Sequence, residues 1–390
     1  MRILTAITYY RPYTSGLTIY AERLAKALVQ RSHEVTVLTS RFEKDLKVAE
    51  NMDGVTVLRV PVFMRLNKGV LMPSFNMVAR NELKHHDALL LHLPQFDAAK
   101  LARQANRARV PTVVLYHSEL ILPPGLINRF VNRVMDVMTY RAGRAAHRIS
   151  AYTQDFSDHS AFLQRFKDKV AVIPPAVELP AAKAADVKAF AKEHNPDGRR
   201  PVIGMATRLA AEKGVEQLLQ ALPRIQEKYP NAIVWFAGQY EGVLGEEAYL
   251  RRLRPVIDTL ETAGQWKFLG TLSMKQMAAF YPNLDVLIVP STNSTETFGF
   301  VQIEAMMNGT PVVAADLPGV RQPVAMTGMG RVTPVGDAAA LAENILAVLD
   351  KPADYQGDPA AIRQQFSPDT SAQRHEALFG EIADELDVAL

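Results

Sequence analysis

Apolar residues along this chain fall into short runs rich in β-branched side chains, separated by longer stretches whose apolar positions recur three and four apart. The runs RILTAIT, EVTVLT, VTVLRV, DALLLH, TVVLYH, HRISAYT and VAVIPP occupy the first 175 residues, and each has the length and composition of a strand. Amphipathic stretches between them, the first over residues 19–31, read as helices. Such alternation predicts a parallel sheet, because parallel strands need crossovers and the crossover helices cover both faces. The pattern pauses after Pro174 and Pro175: residues 176–200 carry an Ala- and Lys-rich helical stretch and then the turn sequence NPDGRR. A second series follows, PVIGMATRL, AIVWFAG, WKFLG, DVLIVPS and PVVAAD, which repeats the architecture without repeating the sequence.

The expected fold is therefore α/β, with two facing, doubly wound, Rossmann-like domains at residues 1–178 and 179–366. Ligands of such sheets sit outside the carboxyl ends of the strands, so a bound molecule is expected in the cleft between the domains. Residues 367–390 are expected to form a C-terminal helix that packs back toward the first domain, with Ser367 as its N-cap and Pro368 in its first turn.

Composition narrows the class without choosing a function. A length of 390 residues exceeds what one hydrophobic core serves, and 48% hydrophobic with 22% charged residues is ordinary for a globular chain. The absence of cysteine excludes disulfides, thiolate nucleophiles and Cys-ligated metals, and it suits a reducing compartment, so the cytoplasm is the expected location. MRILTAITYYRP lacks the plan of a secretory signal, and no run approaches the roughly 18–20 apolar residues of a membrane span. A membrane, if involved, would be touched from its surface. The net charge of +3 hides an asymmetry: residues 1–180 hold 25 Lys and Arg against 15 Asp and Glu, and residues 181–390 hold 19 against 26. The basic half would attract phosphates, anionic lipids or nucleic acid. No aromatic-basic RNA motif accompanies it, so nucleic acid is not an expected partner.

Three stretches carry candidate chemistry. In STETFGFVQIE, Glu296 and Glu304 stand eight positions apart around a Thr-Phe-Gly-Phe cluster. A loop over 296–298 feeding a helix that starts near Gly299 or Phe300 would bring free N–H groups and a flexible backbone close to an anion. Carboxylates at either end would accept hydrogen bonds from vicinal hydroxyls, which matches the layout of a nucleotide sugar. The alternative is that Glu304 complements a helix N-terminus and Glu296 is a loop residue. In ATRLAAEKG, Arg208 and Lys213 follow a strand and precede a helix, where two cations could neutralise a diphosphate leaving group. Glycine-rich nicotinamide and Walker loops are both missing.

Together these residues resemble the retaining glycosyltransferases of GT-B architecture in family 4, the glycosyl transferases group 1. The resemblance covers nearly the whole chain: E-x7-E at Glu296 and Glu304, R-x4-K at Arg208 and Lys213, GTLS at 270–273, YPNLDVLIVPS at 281–291 and SHEVTVLT at 32–39. It implies that Glu304 binds the ribose hydroxyls, Glu296 the transferred sugar, and Arg208 and Lys213 the diphosphate. Backbone at Thr297, Phe298, Gly299 and Phe300 would line the donor pocket. Gly16 matches the second glycine of the family's paired-glycine loop near the donor phosphates, with Ser15 in place of the first, where it could offer a hydroxyl donor. His117 matches a family histidine near the reacting sugar, and His92, which ends a strand, is a candidate acceptor contact. The implied reaction is direct transfer of a hexose from a UDP- or GDP-linked donor with retained configuration, the leaving diphosphate taking the acceptor proton. Glu296, His117, Arg208 and Lys213 would be its catalytic set. No D-x-D motif occurs, so no metal or other cofactor is expected.

The acceptor reading rests on residues 125–149, where Arg129, Arg133, Arg141, Arg144 and Arg148 would share about a 120° arc of a helix with Phe130 and Val137. A basic face with apolar side chains could rest on anionic lipid, which makes a lipid-linked saccharide or glycolipid the expected acceptor and the cytoplasmic face of a membrane an expected location. Otherwise Val131, Val134 and Met138 pack into the core and the arginines meet solvent. Two other readings stand beside this one: a soluble transferase acting on a small sugar or metabolite, and a non-catalytic sugar-nucleotide-binding protein.

Overall fold

A computed structural model describes residues 1–66, 69–120 and 125–390. The chain divides into two compact units, residues 1–177 with 366–390 and residues 178–365.

The first unit is built on β1 (Arg2–Ala6), β2 (Glu34–Arg41), β3 (Ala49–Met52), β4 (Val55–Pro61), β5 (Met64–Leu66), β6 (Gly69–Leu71), β7 (Ala88–Leu93), β8 (Thr112–Tyr116), β9 (Arg148–Ala151) and β10 (Val170–Val172). Eight of these form one sheet in the order β10-β9-β8-β7-β1-β2-β4-β3, while β5 and β6 make a separate antiparallel ribbon. All pairs of the large sheet are parallel except β3 with β4. Central strands such as β7 (ALLLHL) and β8 (TVVLY) are buried at every position, as expected for a sheet covered on both faces. The strands that escape the hydrophobic pattern lie at the margin. β3 reads AENM, which has no β-branched residue, and it forms by pairing along the edge of β4.

The helix expected over 19–31 runs from Gly16 to Gln30, because Ser15 and Thr18 cap it reciprocally. Residues 366–390 return to this unit. Ser367 caps the helix Pro368–Leu386 by accepting the Thr370 N–H at 3.1 Å. Phe379, Ala372 and Ile382 of that helix are buried, and Glu376 and Asp369 accept from the Arg31 guanidinium at 2.7 and 2.9 Å.

The second unit holds β11 (Val202–Ala206), β12 (Ile233–Ala237), β13 (Trp266–Gly270), β14 (Val286–Val289), β15 (Val312–Ala315) and β16 (Gly330–Thr333). They form one parallel sheet in the order β13-β12-β11-β14-β15-β16. From β11 the chain steps outward through β12 and β13, then crosses back to the other side at β14. The strand order therefore reverses between β11 and β14, and loops that leave those two strands part to either side of the crevice. In the first unit the same reversal falls between β1 and β7.

Candidate functional site

In the second unit the expected donor residues converge on that reversal point. Arg208 lies just beyond β11, and Lys213 ends a single 3-10 turn, Ala211–Lys213. Gly214 follows in the left-handed region at φ 71°, and a Cβ there would stand 2.0 Å from the Pro290 carbonyl oxygen. Only glycine lets the loop after β11 pass this closely against the chain leaving β14. Thr292 N–H then donates to the Glu212 carbonyl at 2.9 Å, tying the two loops together.

On that frame Lys213 Nζ donates to Glu296 Oε2 at 2.7 Å, and both side chains are largely sheltered, at 17% and 23% exposed. Arg208 pairs with Glu212 one turn away. Each cation thus already has a carboxylate partner. A diphosphate would have to compete for them, and its greater charge favours that exchange in a sheltered site.

Past Glu296 the chain turns until Phe300, where the helix Phe300–Met306 begins, so the loop-then-helix expectation holds. Gly299 precedes it at φ 78°. Gln302 Nε2 donates to the carbonyls of Phe298 and Val320, both at 2.8 Å, which pins the loop from inside. Thr297 and Phe298 are buried. Glu304 lies at the buried end of this segment, 9% exposed, and Tyr281 donates its hydroxyl to Glu304 Oε2 at 2.8 Å. Thr310 in turn donates to the Tyr281 carbonyl at 2.6 Å. The GTLS stretch ends β13 at Gly270 and caps the helix Met274–Phe280 through Ser273.

Sequence reasoning missed Glu212, Tyr281 and Gln302. Glu212 was hidden inside the Arg-x4-Lys spacing, and Tyr281 lies too far along the chain from Glu304 for any local pattern to pair them.

In the first unit Gly16 opens the first helix, and Ser15, which could offer a hydroxyl donor, also serves as its cap: its Oγ accepts the Thr18 N–H at 3.3 Å, and Thr18 Oγ1 accepts the Ser15 N–H at 2.8 Å. His92 is 1% exposed and its Nδ1 is bonded to His117 Nε2 at 2.8 Å. It sits in the interior, with no surface offered to an acceptor in this structure. His117, directly after β8, is also buried, and its Nδ1 is bonded to the Tyr152 hydroxyl, so both ring nitrogens are held by protein groups. The His92 and His117 rings lie parallel, centroids 5.0 Å apart, with Tyr20 edge-on to His117 at 5.3 Å. His375, from the C-terminal helix, is fully buried beside them and donates its Nδ1–H to the Ser371 carbonyl at 2.8 Å. Burial lowers the pKa of all three: His92 well below the usual value, His117 to about 3 and His375 to about 4. Asp97, in the loop after β7, is bonded to Asn76 at 2.9 Å, and burial pushes its carboxyl up to about 6.

The basic segment is a helix only from Leu126 to Ala145. Arg129, Arg133, Arg141 and Arg144 are exposed along it, as are Leu126 at 84% and Phe130 at 71%. Val131, Val134 and Met138 are only half-buried, and full burial begins at Ala142. Arg148, expected on the same face, instead opens β9 and pairs with Glu385, because the helix stops at Ala145. Among the described residues no helix is long and apolar enough to cross a membrane.

Comparison with known proteins returns one family for both units. The profile described as "Glycosyl transferases group 1" matches residues 186–365, and that described as "Glycosyl transferase 4-like domain" matches residues 15–176. A phosphatidyl-myo-inositol mannosyltransferase of Mycolicibacterium smegmatis is 26% identical over 361 residues, covering 90% of this chain and 85% of the relative. A GDP-mannose-dependent alpha-(1-6)-phosphatidylinositol monomannoside mannosyltransferase of the same organism is 26% identical over 366 residues, covering 88% of each chain. Among solved structures, Anabaena HepE in complex with UDP superposes with a TM-score of 0.77 at 21% identity, covering 98% of this chain and 100% of the other.

The buried histidines make the first unit sensitive to acid. Their folded pKa values lie below the unfolded value of about 6.5, so their neutral forms stabilise the fold above that pH. The contribution is lost as pH falls through 6.5 toward the folded values, by up to about 1.4 kcal/mol per pH unit for each histidine. Asp97 works in the opposite sense, one group against three. Urea midpoints of the first unit are therefore expected to fall steeply between about pH 6.5 and 4.5, and a flat profile there would contradict the buried neutral cluster.

Proposed function

This chain belongs to the family-4 glycosyltransferases of GT-B fold, and we propose that it moves a hexose from a UDP- or GDP-linked donor to a hydroxyl of a lipid-linked saccharide or glycolipid, with retention of configuration. One observation carries the reading: Lys213 and Glu296 meet at 2.7 Å at the reversal point of a parallel sheet, with Arg208 on the same loop as Lys213. In this reading the diphosphate takes Lys213 and Arg208 from their carboxylate partners. Glu296, released, accepts from the sugar hydroxyls. Glu304, held by Tyr281, accepts from the ribose hydroxyls. The bond from the anomeric carbon to the diphosphate oxygen breaks as the acceptor oxygen bonds on the same face, and the proton passes to a diphosphate oxygen.

The two cations stabilise charge as it grows on the leaving group, a part that a divalent ion plays elsewhere, so the proposed reaction is metal-independent. His117 is assigned a positioning part, since Tyr152 and His92 hold both its nitrogens. The similarity to phosphatidylinositol-type mannosyltransferases, one of them GDP-mannose-dependent, favours GDP-mannose as the donor and a phosphatidylinositol-type acceptor among those to be tried first. The exposed arginines and apolar side chains of the helix Leu126–Ala145 fit contact with an anionic bilayer, which supports a reading of the protein as resting on the cytoplasmic face of a membrane.

Transfer assays with GDP-mannose and UDP-glucose test the activity directly, and no turnover with any nucleotide sugar would leave only a binding protein. Glu304→Ala is expected to weaken nucleotide binding by about 1–3 kcal/mol, the scale of a lost hydrogen bond to a charged group; calorimetry with UDP and GDP reads it, and unchanged affinity for both removes the ribose assignment. Lys213→Ala is expected to lower kcat by about a hundredfold or more while donor affinity changes far less, and equal kinetics would reject its role. Flotation with phosphatidylglycerol vesicles is expected to carry the protein at low salt and release it at high salt. Arg129→Gln and Arg133→Gln should each cost about 1 kcal/mol of that binding, and failure to float would favour the soluble version of the enzyme.

A further inference from the structure

The segment that carries Arg208 and Lys213 starts helical structure twice and caps neither start itself. The 3-10 turn Ala211–Lys213 follows Ala210, and the helix Val215–Lys228 follows Gly214; neither of these residues has a side chain that accepts the free N–H groups of a first turn. Both caps come from a distance. Glu246 Oε2 accepts the Ala211 N–H at 3.0 Å, and the buried Tyr249 hydroxyl accepts the Glu216 N–H at 3.2 Å. The two terminal nitrogens of Arg252 then donate to the Glu216 carboxylate at 2.7 and 2.9 Å, and the guanidinium carbon stands 5.3 Å from the centre of the Tyr249 ring.

Glu246, Tyr249 and Arg252 are spaced by three at the start of the helix Glu247–Thr262, so they share one side of it. Glu246 stands at the N-cap position of that helix, yet its side chain caps nothing there. Among the described residues it forms no ion pair either, and its carboxylate is given to the backbone two residues before Lys213. The chain just upstream is held by the same neighbourhood. Thr207 N–H donates to the Ala237 carbonyl at 2.8 Å and Leu209 N–H to the Gln239 carbonyl at 2.7 Å. Gly238 permits that approach: its φ is 136°, and a Cβ there would stand 2.0 Å from the Thr207 carbonyl oxygen. Backbone N–H groups at Thr207, Leu209, Ala211 and Glu216 are thus all fastened by residues 237–249.

Caps stabilise any helix, but these two bracket one side chain. Lys213 lies two residues after Ala211 and three before Glu216, and its ammonium rides on a flexible four-carbon stem. The reach of that stem is set by the backbone on either side of it. Charge growing on a leaving diphosphate is stabilised by cations already in place, and a misplacement of about 1 Å can cost up to about a hundredfold in rate. We propose that Glu246 and Tyr249 are positioning residues of the transfer reaction, which act through Lys213 by fixing the turn before it and the helix start after it. The proposal rests on the glycosyltransferase reading and adds to it two residues that work without touching substrate.

The test is steady-state kinetics on the full chain with whichever of GDP-mannose and UDP-glucose the wild type turns over. Glu246→Ala and Tyr249→Phe are each expected to lower kcat about tenfold while donor KM changes less than about twofold. Glu246→Gln keeps an acceptor for the Ala211 N–H and is expected to restore kcat to within about twofold. In the Lys213→Ala background the same substitutions should cost less than about twofold, because the group that they position is gone. Tyr249→Phe keeps the buried ring, so it holds the test open if Glu246→Ala misfolds, and calorimetry with UDP and GDP counts the folded fraction of each variant. Wild-type kcat in both variants, a loss explained by the folded fraction alone or by donor KM, or the full loss persisting without Lys213 would each overturn the positioning role and leave the transferase reading standing. A wild-type chain that turned over no nucleotide sugar would overturn both.

Discussion

A parallel strand cannot pair with its neighbour until the chain has crossed over the sheet and come back, and every other feature of this protein follows from that constraint. Each crossover starts at the carboxyl end of a strand, so all the loops with freedom to vary emerge along one edge. Where the strand order reverses, two such loops diverge and leave room between them. In the second unit those are the loops after β11 and β14, which supply Arg208, Lys213 and Glu296. In the first unit the chain after β1 and β7 occupies the same kind of place, with Gly16 opening the first helix and His92 near the end of β7.

Within that frame the electrostatics are arranged as paired charges. Lys213 and Arg208 are each matched by a carboxylate, so the fold does not bury a lone cation. Removing one member of a sheltered pair costs more than exchanging its partner, because the remaining charge would lose its compensation. In the proposed reading, substrate binding as an exchange of anions would avoid that cost and would give Glu296 a role in both states. Glu304 is handled differently: Tyr281 donates to one oxygen and fixes the direction of the carboxylate in a buried position.

The first unit shows the opposite treatment of titratable groups. His92 and His117 are packed against tyrosine rings, and they and His375, delivered by a helix that begins at residue 368, are kept neutral by burial. The C-terminal segment is thereby part of the same core as the first strands. A packed neutral network of this kind gives rigidity at strand ends.

Hydrophobic periodicity alone determined the class, since fully buried strands such as VIGMA and ALLLHL admit no other reading between amphipathic stretches. It also located the boundary near residue 177, where Pro and Ala interrupt the pattern, and the cap at Ser367. Local spacing was enough to single out Arg208 with Lys213 and Glu296 with Glu304 as candidates, because each pair lies on one continuous loop or loop-helix segment. Margins escaped it: β3 has no β-branched residue, β16 has its short run broken by Gly330 and Arg331, and both exist because a neighbour's edge supplies their hydrogen bonds. So did every partnership across the fold, including Lys213 with Glu296, 83 residues apart, Tyr281 with Glu304, and His92 with His117. Tertiary structure decided those, and it turned His92 inward and took Arg148 off the basic helix, because which side chains meet depends on strand order and register, and neither is written in any local run of residues.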